Sequence, residues 1–435
     1  MTENDQFGII DPNLVPSTTD VNGVPCFDPT TNTAIPGTAC AALLPIDLTR
    51  NGSQFLFRGH TDVKELALYA QDTITKGNWS FNLGLRGDLY RGLSSASEIE
   101  PRVGIAYNIK PSSTVLRLSY ARTLETPFNE NLVVSTTGCN VDVIAALIPC
   151  VPANSPAGFR NEFHAGFGQA FGKYLVVDGE YLWKYTHNSF DFSVLGNTPV
   201  TFPIVWHNSK IPGYAIRASV PNFHGFTALV VMSSVAARYF PPQVGGLGVT
   251  VGQSGSVFRI DHDEKFNQTT HLQYQLWKRG PWVGFNWRYD SGLVAGAVPD
   301  FSTALTFDGD QQAAIGLFCM NPAGQTLFAT LMNPLSSAAS SCGPNPTKTG
   351  ATRINIPADG TENDDKNPPR IAPRNLFDLA VGHDNLFHAD RYKWSLRFTV
   401  INLTNKEALY NFLSTFSGTH FVSPRSYSAE LGFHF

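Results

Sequence analysis

Apolar and polar residues alternate along much of this chain. From Trp79 the sequence runs WSFNLGLRGDLY, which places its large apolar residues on one face and Ser, Asn, Arg and Asp on the other. The segments VGFNWRYD (283–290) and KWSLRFTV (393–400) have the same period. A period of two is strand geometry, because successive side chains of a strand point to opposite faces. The pattern therefore predicts an all-β fold.

Applied along the whole chain, the same reading predicts a series of consecutive strands and no helical domain between them. Single-chain bacterial barrels have an even number of strands. The odd number found here therefore indicates that the chain is one part of a larger sheet. We predict about thirteen strands, at 54–74, 78–90, 100–109, 113–123, 158–170, 173–187, 211–220, 224–239, 267–277, 282–293, 374–386, 391–403 and 426–435.

The connections between these strands alternate between two kinds. Short turns are predicted at 75–78, 110–113, 171–173, 221–224, 278–281 and 387–390. Long polar loops are predicted at 91–99, 124–157, 188–210, 240–266, 294–373 and 404–424. Outer-membrane barrels show this asymmetry, whereas a soluble β-sandwich has no reason to keep it through consecutive strand pairs. The interpretation is an antiparallel transmembrane β-barrel.

Composition agrees with this interpretation. Only 15% of the residues are charged, 12% are aromatic, and Gly and Pro number 37 and 29. No stretch approaches the roughly 18 consecutive apolar residues that a spanning helix needs, but a barrel strand needs only about ten residues with one apolar face. The net charge of −4 shows no basic excess, so nucleic acid is not expected as a partner.

Charged residues recur on the face opposite the apolar one. In a barrel this face lines a polar lumen that holds water, a plug or a polar solute. In a soluble protein the same residues form an ordinary solvated face, so this feature alone does not decide between the two. The lumen-facing candidates are Arg86, Asp88, Arg117, Asp178, Glu180, Arg217, Arg288, Asp290 and Arg397.

The six cysteines fall into three sequential pairs, and none lies in a predicted strand. Pairing within each segment is the simplest connectivity, and disulfides suit an oxidising compartment. Metal binding is the alternative, but no pair has CxxC spacing and no His lies close by. The disulfide candidates are Cys26 with Cys40, Cys139 with Cys150, and Cys319 with Cys342.

No catalytic constellation stands out. His262 and His271 are too far apart for an HExxH zinc motif, and the serines of GQSG (252–255) lack the GxSxG spacing of a nucleophile elbow. The chain is therefore not expected to be an enzyme, and no cofactor or metal is expected.

The last predicted strand, YSAELGFHF (427–435), alternates and ends on an aromatic residue. This ending resembles the signal by which the barrel-assembly machinery recognises its clients. The alternative is a chance edge strand. The assembly-signal candidates are Tyr427, Leu431, Phe433 and Phe435.

Several stretches resemble TonB-dependent receptors when taken in order. They are ELALYAQDTI (65–74), WSFNLGLRGD (79–88), IEPRVGIAYNI (99–109), TVLRLSYARTLETPFNENL (114–132) and the C-terminal hairpin of 391–435. The series is most similar to large members that carry an N-terminal carboxypeptidase-regulatory-like domain. The resemblance implies a 22-strand outer-membrane barrel, plugged by an N-terminal domain, that imports a scarce ligand with energy relayed by TonB.

The chain departs from that plan, since it shows no plug domain, no TonB box and too few strands. It also shows no signal peptide after Met1, which indicates either a fragment of a longer precursor or that the membrane interpretation is wrong. We expect residues 1–53 to be the remnant of an extracellular loop and 54–435 the C-terminal part of the barrel. TonB would then act only through a plug domain that is missing here.

The functional hypothesis is a receptor-transporter in the bacterial outer membrane, in contact with outer-membrane lipid. It would bind and import a polar small-molecule ligand of unknown identity, with binding placed on loops 124–157 and 294–373 because they are long and contain cysteine pairs. The alternatives are a structural or non-functional barrel fragment, a passive porin-like channel, and a soluble β-rich binding protein.

Overall fold

One antiparallel sheet contains fifteen of the described strands. Thirteen of them pair in a continuous series, which we call the wall, and the other two branch from it. The computed structural model describes residues 2–8, 35, 45–60, 62–92, 95–126, 157–194, 201–244, 256–296, 298, 300–335, 342, 346–414 and 418–435. The prediction of an all-β antiparallel sheet of about thirteen strands is confirmed. Closure into 22 strands remains a prediction.

The described strands are numbered in chain order, and the wall consists of β3–β10, β13, β14, β20, β21 and β24. The first half comprises β1 (Thr2–Phe7), β2 (Phe55–His60), β3 (Lys64–Lys76), β4 (Trp79–Arg91), β5 (Ser95–Ile109), β6 (Thr114–Glu125), β7 (Gly158–Phe171), β8 (Leu175–Val194), β9 (Thr201–Phe223), β10 (Phe226–Val235), β11 (Arg238–Val244) and β12 (Phe258–Arg259). The second half comprises β13 (Asn267–Gln275), β14 (Trp282–Asp290), β15 (Leu317–Met320), β16 (Thr326–Phe328), β17 (Lys348–Ala351), β18 (Ile354–Asn355), β19 (Arg370–Ile371), β20 (Arg374–His383), β21 (Lys393–Ile401), β22 (Leu409–Ser414), β23 (Gly418–Phe421) and β24 (Ser426–His434).

The apolar face of the wall is open rather than packed against a second sheet. Trp79, Phe398 and Phe433 are 46%, 51% and 47% exposed. In a β-sandwich these side chains would lie in the buried layer between two sheets. The wall is therefore a single layer, with an apolar face that needs a non-aqueous environment.

Short turns connect the strands at one end of the wall. They lie at 77–78, 110–113, 172–174, 224–225, 276–281 and 384–392. Gly77 and Gly172 have φ of 63° and 58°, a left-handed conformation that glycine adopts without steric cost. All the longer connections lie at the opposite end, as the sequence predicts.

Two of the predicted long loops are wrong. The 91–99 loop is short, because β5 starts at Ser95 and pairs with Arg91. The 188–210 loop is largely strand, because the β8–β9 ladder continues beyond His187 through the Ser189–Trp206 pair. In the second segment the apolar residues Phe190 and Phe192, and then Ile204 and Trp206, keep the period of two, which favours continued pairing.

Two predicted strands are each divided. The 54–74 segment forms β2 and β3, and β2 pairs with β1 in a separate two-stranded sheet. The 224–239 segment forms β10 and β11, and β11 pairs with the first part of β9. The described part of residues 1–53 thus includes one strand, while the assignment of 1–53 to an extracellular loop stays a prediction.

The 294–373 segment forms a folded unit at the long-loop end. The prediction of a polar loop for this segment is wrong. We call residues 293–373, together with the β22–β23 hairpin, the cap. It contains the helices α1 (Phe301–Ala304) and α2 (Gly309–Ile315) and strands β15–β19. Its core buries Ile315, Leu317, Leu409 and Phe412 almost completely. Within the described ranges, no helix is long and apolar enough to cross a membrane.

Candidate functional site

The cross-strand register places all nine predicted lumen-facing residues on one face of the wall. Arg86 lies opposite Glu100, and Arg217 lies between Asp178 and Val231. Arg397 lies between Gly382 and Glu430. The same alternation carries Arg117, Glu180, Arg288 and Asp290 onto this face. We call it the polar face; that it encloses a lumen remains a prediction.

Charges on the polar face are paired with one another in the first strands of the wall. The Arg86 guanidinium lies 2.8 Å from Asp88, and Arg102 lies 3.4 Å from Glu100. The Glu100 carboxylate is almost fully buried and accepts a hydrogen bond from the Leu124 N–H at 2.7 Å. This cluster therefore fixes the register of three adjacent strands as well as charging the surface.

The next strands continue the pattern. Arg117 lies 3.2 Å from Asp178, and Lys184 lies 3.3 Å from Glu162. Glu180 lies 3.8 Å from the His164 ring. Further along the wall, Arg288 is 3.3 Å from Asp378 and Arg374 is 2.9 Å from Asp290. Both signs are interspersed, so the polar face suits a solute with several polar groups better than an ion of one charge.

The cap is built around a buried amide. Gln312 on α2 donates to the carbonyls of Phe307 and Leu335, both at 3.0 Å, and accepts from the Leu335 N–H at 2.8 Å. Asp308 caps the helix by accepting from the Gln311 N–H at 2.8 Å. These bonds hold the chain before and after the helix to one core. The sequence signal was present in DGDQQAAIG (308–316), an acidic cap followed by a helix and a terminal glycine.

A buried ionic network joins the cap to the wall. Asp263 is fully buried, and its carboxylate lies 2.5 Å from Arg370 and 3.0 Å from Arg259. It also accepts from the Ala237 N–H at 2.7 Å. Asp365 extends the network, lying 2.9 Å from Arg259 and 2.7 Å from Arg238. These residues are absent from the sequence-based candidates, because the Asp263 and Arg370 pair is 107 positions apart.

One of the three predicted disulfides lies within the described residues. Cys319 and Cys342 are bonded with their Cα atoms 5.8 Å apart, which confirms that pair. Both cysteines belong to the buried core of the cap. Cys26, Cys40, Cys139 and Cys150 lie outside the described residues, as does most of loop 124–157.

The assembly-signal candidates lie on the edge strand β24 and just after it. Tyr427, Leu431 and Phe433 pair with the apolar-face residues Val400, Leu396 and Trp394 of β21. Phe435 is largely exposed at the short-turn end. Their recognition by the assembly machinery stays a prediction. Among the described residues, no group of three or more His, Cys, Asp or Glu side chains is arranged to hold a metal ion.

Comparison with known families finds one match, in the first part of the chain. Residues 27–161 match the family described as "TonB dependent receptor-like, beta-barrel". The resemblance found in the sequence motifs is thus confirmed, while the subgroup with a carboxypeptidase-regulatory-like domain stays a prediction. The comparison with curated proteins found no match.

Solved structures show the same fold as the wall. The FrpB iron transporter from Neisseria meningitidis is 14% identical, with 87% of this chain and 46% of that chain covered, at a TM-score of 0.51. The outer membrane transporter YddB from Escherichia coli is 10% identical, covering 87% and 46%, at 0.53. The copper transporter OprC is 11% identical, covering 86% and 48%, at 0.53. The chain spans less than half the length of these structures.

The Cys319–Cys342 disulfide of the cap is open to a direct test. Replacing Cys319 and Cys342 by serine is expected to destabilise the cap by about 2 kcal/mol, because the bond closes a loop with a sequence separation of 23. Limited proteolysis of the folded protein measures this as faster cleavage within residues 293–373. Fragments of the wall should keep their resistance to proteolysis. An equal loss of resistance in the wall and in the cap would contradict an effect confined to the cap.

The cap should be more stable at mildly acidic pH. Burial, together with Asp364, raises the pKa of Glu362 to about 7. The folded cap then holds a proton that the unfolded chain releases above about 4.5, so stability is lost as pH rises from about 4.5 to 7. A hydrogen bond to Asp261 raises the pKa of His262, which precedes β13. The stability that protonated His262 contributes is complete below its ordinary pKa and is lost as pH rises through the raised value.

Proteolysis of the cap at pH 5.5 and pH 8 tests this dependence. The parent protein is expected to be cleaved several-fold more slowly at pH 5.5. Glu362→Gln should reduce the difference between the cleavage rates at pH 5.5 and pH 8, because it protects the cap at pH 8. Asp359→Asn is the matched control, since Asp359 is exposed in the same segment. If the cleavage rates of Glu362→Gln differ between the two pH values as much as those of the parent, Glu362 is not the source of the pH dependence.

Proposed function

We propose that this chain forms part of the wall and the external cap of an outer-membrane receptor that binds a polar ligand and imports it. One observation carries the proposal. The wall has an open apolar face, an ion-paired polar face, short turns at one end and a folded cap at the other. An open apolar face suits lipid and an ion-paired polar face suits a polar interior, while short turns at one end and long connections at the other are typical of outer-membrane barrels.

The cap and the neighbouring polar face are the proposed ligand-binding surface. A disulfide, a buried amide and a buried ionic network hold the cap, so its surface is preorganised. Phe328, Leu331 and Met332 on the cap are exposed apolar side chains that would contact the apolar part of a ligand. The interspersed charges of the polar face would receive its polar groups.

The partners in this proposal are outer-membrane lipid, the barrel-assembly machinery, a polar small-molecule ligand and TonB. The structurally similar FrpB is an iron transporter and OprC is a copper transporter. The present chain shares only the fold of these proteins. TonB coupling would act through a plug domain, in which case the wall described here supplies the binding surface rather than the coupling element.

Two measurements on the full chain test membrane insertion and its direction. Purified outer membranes should yield a species that migrates faster unheated than boiled, because a folded barrel resists detergent. In intact cells, a membrane-impermeant maleimide should label Lys366→Cys in the cap but not Lys173→Cys in a turn. Identical migration of the two samples would contradict the proposal, and labelling of the turn alone would reverse the orientation.

A conductance measurement separates the receptor from a passive channel. In a planar bilayer, electrical silence of the purified chain would count against a passive channel. A stable, ohmic conductance at all voltages would favour the porin-like alternative. The polar face would then be the lining of a pore rather than a binding surface.

A further inference from the structure

The short-turn end of the wall is strongly basic, although the whole chain has a net charge of −4. The turns and the strand residues that flank them contain seven Lys or Arg side chains against two Asp. All seven are exposed and they come from five different turns. We call them the basic ring: Lys76, Lys110, Lys173, Lys278, Arg279, Arg391 and Lys393.

The opposite end of the molecule does not share this charge. Residues 293–373 of the cap contain seven Asp or Glu and four Lys or Arg. Charges on the polar face lie between these two ends and are largely ion-paired. By contrast, no side chain of the basic ring forms an ion pair with any residue that the structure describes. The ring is therefore positioned for a negatively charged partner outside this sheet.

Aromatic side chains accompany the basic ring. Trp79, Phe223 and Trp277 are exposed beside the turns. Two turns repeat one arrangement, in which a cation lies over the ring of the next residue. The Lys173 ammonium is 5.7 Å from the Tyr174 ring centroid, and the Arg391 guanidinium is 5.3 Å from that of Tyr392. Each pair holds a positive charge next to an amphipathic ring.

This combination matches a phospholipid surface. Tyrosine and tryptophan favour the headgroup level of a bilayer, where one side of the ring is apolar and the other hydrated. Lysine and arginine beside them attract anionic headgroups, and each contributes about a fivefold preference near the surface. A soluble anion would need a concave pocket, whereas these side chains are distributed along a rim of successive turns.

We infer that the basic ring binds anionic phospholipid headgroups of the leaflet at the short-turn end. The inference rests on the proposed membrane-spanning wall, and it adds a lipid specificity that the wall alone does not require. Bound headgroups would hold the turns at one depth and fix which end of the wall faces each leaflet.

Lipid-selective fluorescence quenching tests the inference with the full chain. Four of the seven tryptophans, Trp79, Trp277, Trp282 and Trp394, lie at the short-turn end. The chain is refolded into phosphatidylcholine vesicles that contain increasing dibrominated phosphatidylglycerol, and separately dibrominated phosphatidylcholine. The parent is expected to prefer the anionic lipid severalfold, and about 1 M NaCl should abolish the preference by screening.

Charge-removal variants locate the preference. Replacing Lys173, Lys278, Arg279 and Arg391 together by glutamine is expected to reduce the severalfold preference to near unity. The matched control removes four exposed cations at the long-loop end, through Lys265→Gln, Lys366→Gln, Lys406→Gln and Arg425→Gln, and should keep the parent's preference. Heat-modifiable migration of every variant establishes that it has folded into the vesicle.

Each other outcome overturns the inference. Equal quenching by both lipids in a correctly folded parent, or equal loss in the control variant, would show that the basic ring is not a headgroup site, while the membrane wall would stand. Displacement of the brominated lipid by soluble glycerol phosphate at constant ionic strength would identify a general anion site instead. A chain that does not insert into either vesicle would end both this inference and the proposed function.

Discussion

Replacing Asp263 by alanine is expected to detach the cap from the wall, at a cost of about 3–5 kcal/mol. The Asp263 carboxylate is fully buried between Arg370 and Arg259 and also accepts the Ala237 N–H. Without it, Arg370 loses its ion-pair partner among the described residues and the Ala237 N–H loses its acceptor, while Arg259 keeps only Asp365. A buried charge without a partner costs more free energy than the ion pair contributed, so the expected loss of stability is large.

Hydrogen exchange and limited proteolysis measure this effect. In Asp263→Ala, amides of residues 293–373 should exchange faster by roughly two orders of magnitude or more, while amides of β4–β8 keep their protection. Asp359→Ala is the matched control, since Asp359 is an exposed carboxylate of the same unit and its loss should change little. Unaltered protection in Asp263→Ala would mean that the cap is held by its apolar core alone.

Placing an arginine on the apolar face is expected to block assembly, whereas the same change on the polar face is tolerated. Leu118 on β6 is 59% exposed on the apolar face near the middle of its strand. Leu118→Arg should destabilise the inserted wall by up to about 4 kcal/mol, because a charge at the bilayer midplane loses its hydration. The neighbouring Ser119 lies opposite Gly104 and His164 on the polar face.

Folding yield in vesicles, followed by heat-modifiable migration, compares the two variants. Ser119→Arg should fold nearly as well as the parent, and Leu118→Arg should not. Adjacent positions in one strand have a similar local preference for β structure. A difference in folding yield between the two variants therefore reports the environment of each face. Similar yields for the two arginine variants would count against a lipid-facing apolar surface and favour a soluble sheet.

The wall strands were predictable because their signal is local. The alternation in WSFNLGLRGDLY is produced by the strand's own geometry, and β4 begins within one residue of the predicted start. Glycines such as Gly77 and Gly172 mark the turns for an equally local reason, their left-handed backbone. The nine polar-face residues share one face because antiparallel register preserves the alternation from strand to strand.

The folded cap was missed because its signals are short and mixed. Its helices and strands are each a few residues long, and their apolar residues become a core only when 293–373 and β22 come together. Leu409 and Phe412 of β22 complete that core from another connection of the wall. A loop of high Gly, Pro and Ser content and a small disulfide-bonded unit look alike until those contacts are known.

By itself, the sequence determined the all-β class, the order of the wall strands, the side of the sheet on which each residue lies, and one cysteine pair. Each follows from geometry within a strand or between near neighbours. Only the tertiary structure decided that the long connection is a cap and that Asp263 is buried with Arg370. Burial and ion pairing depend on which distant segments meet, and residues 107 positions apart leave no local pattern that records their contact.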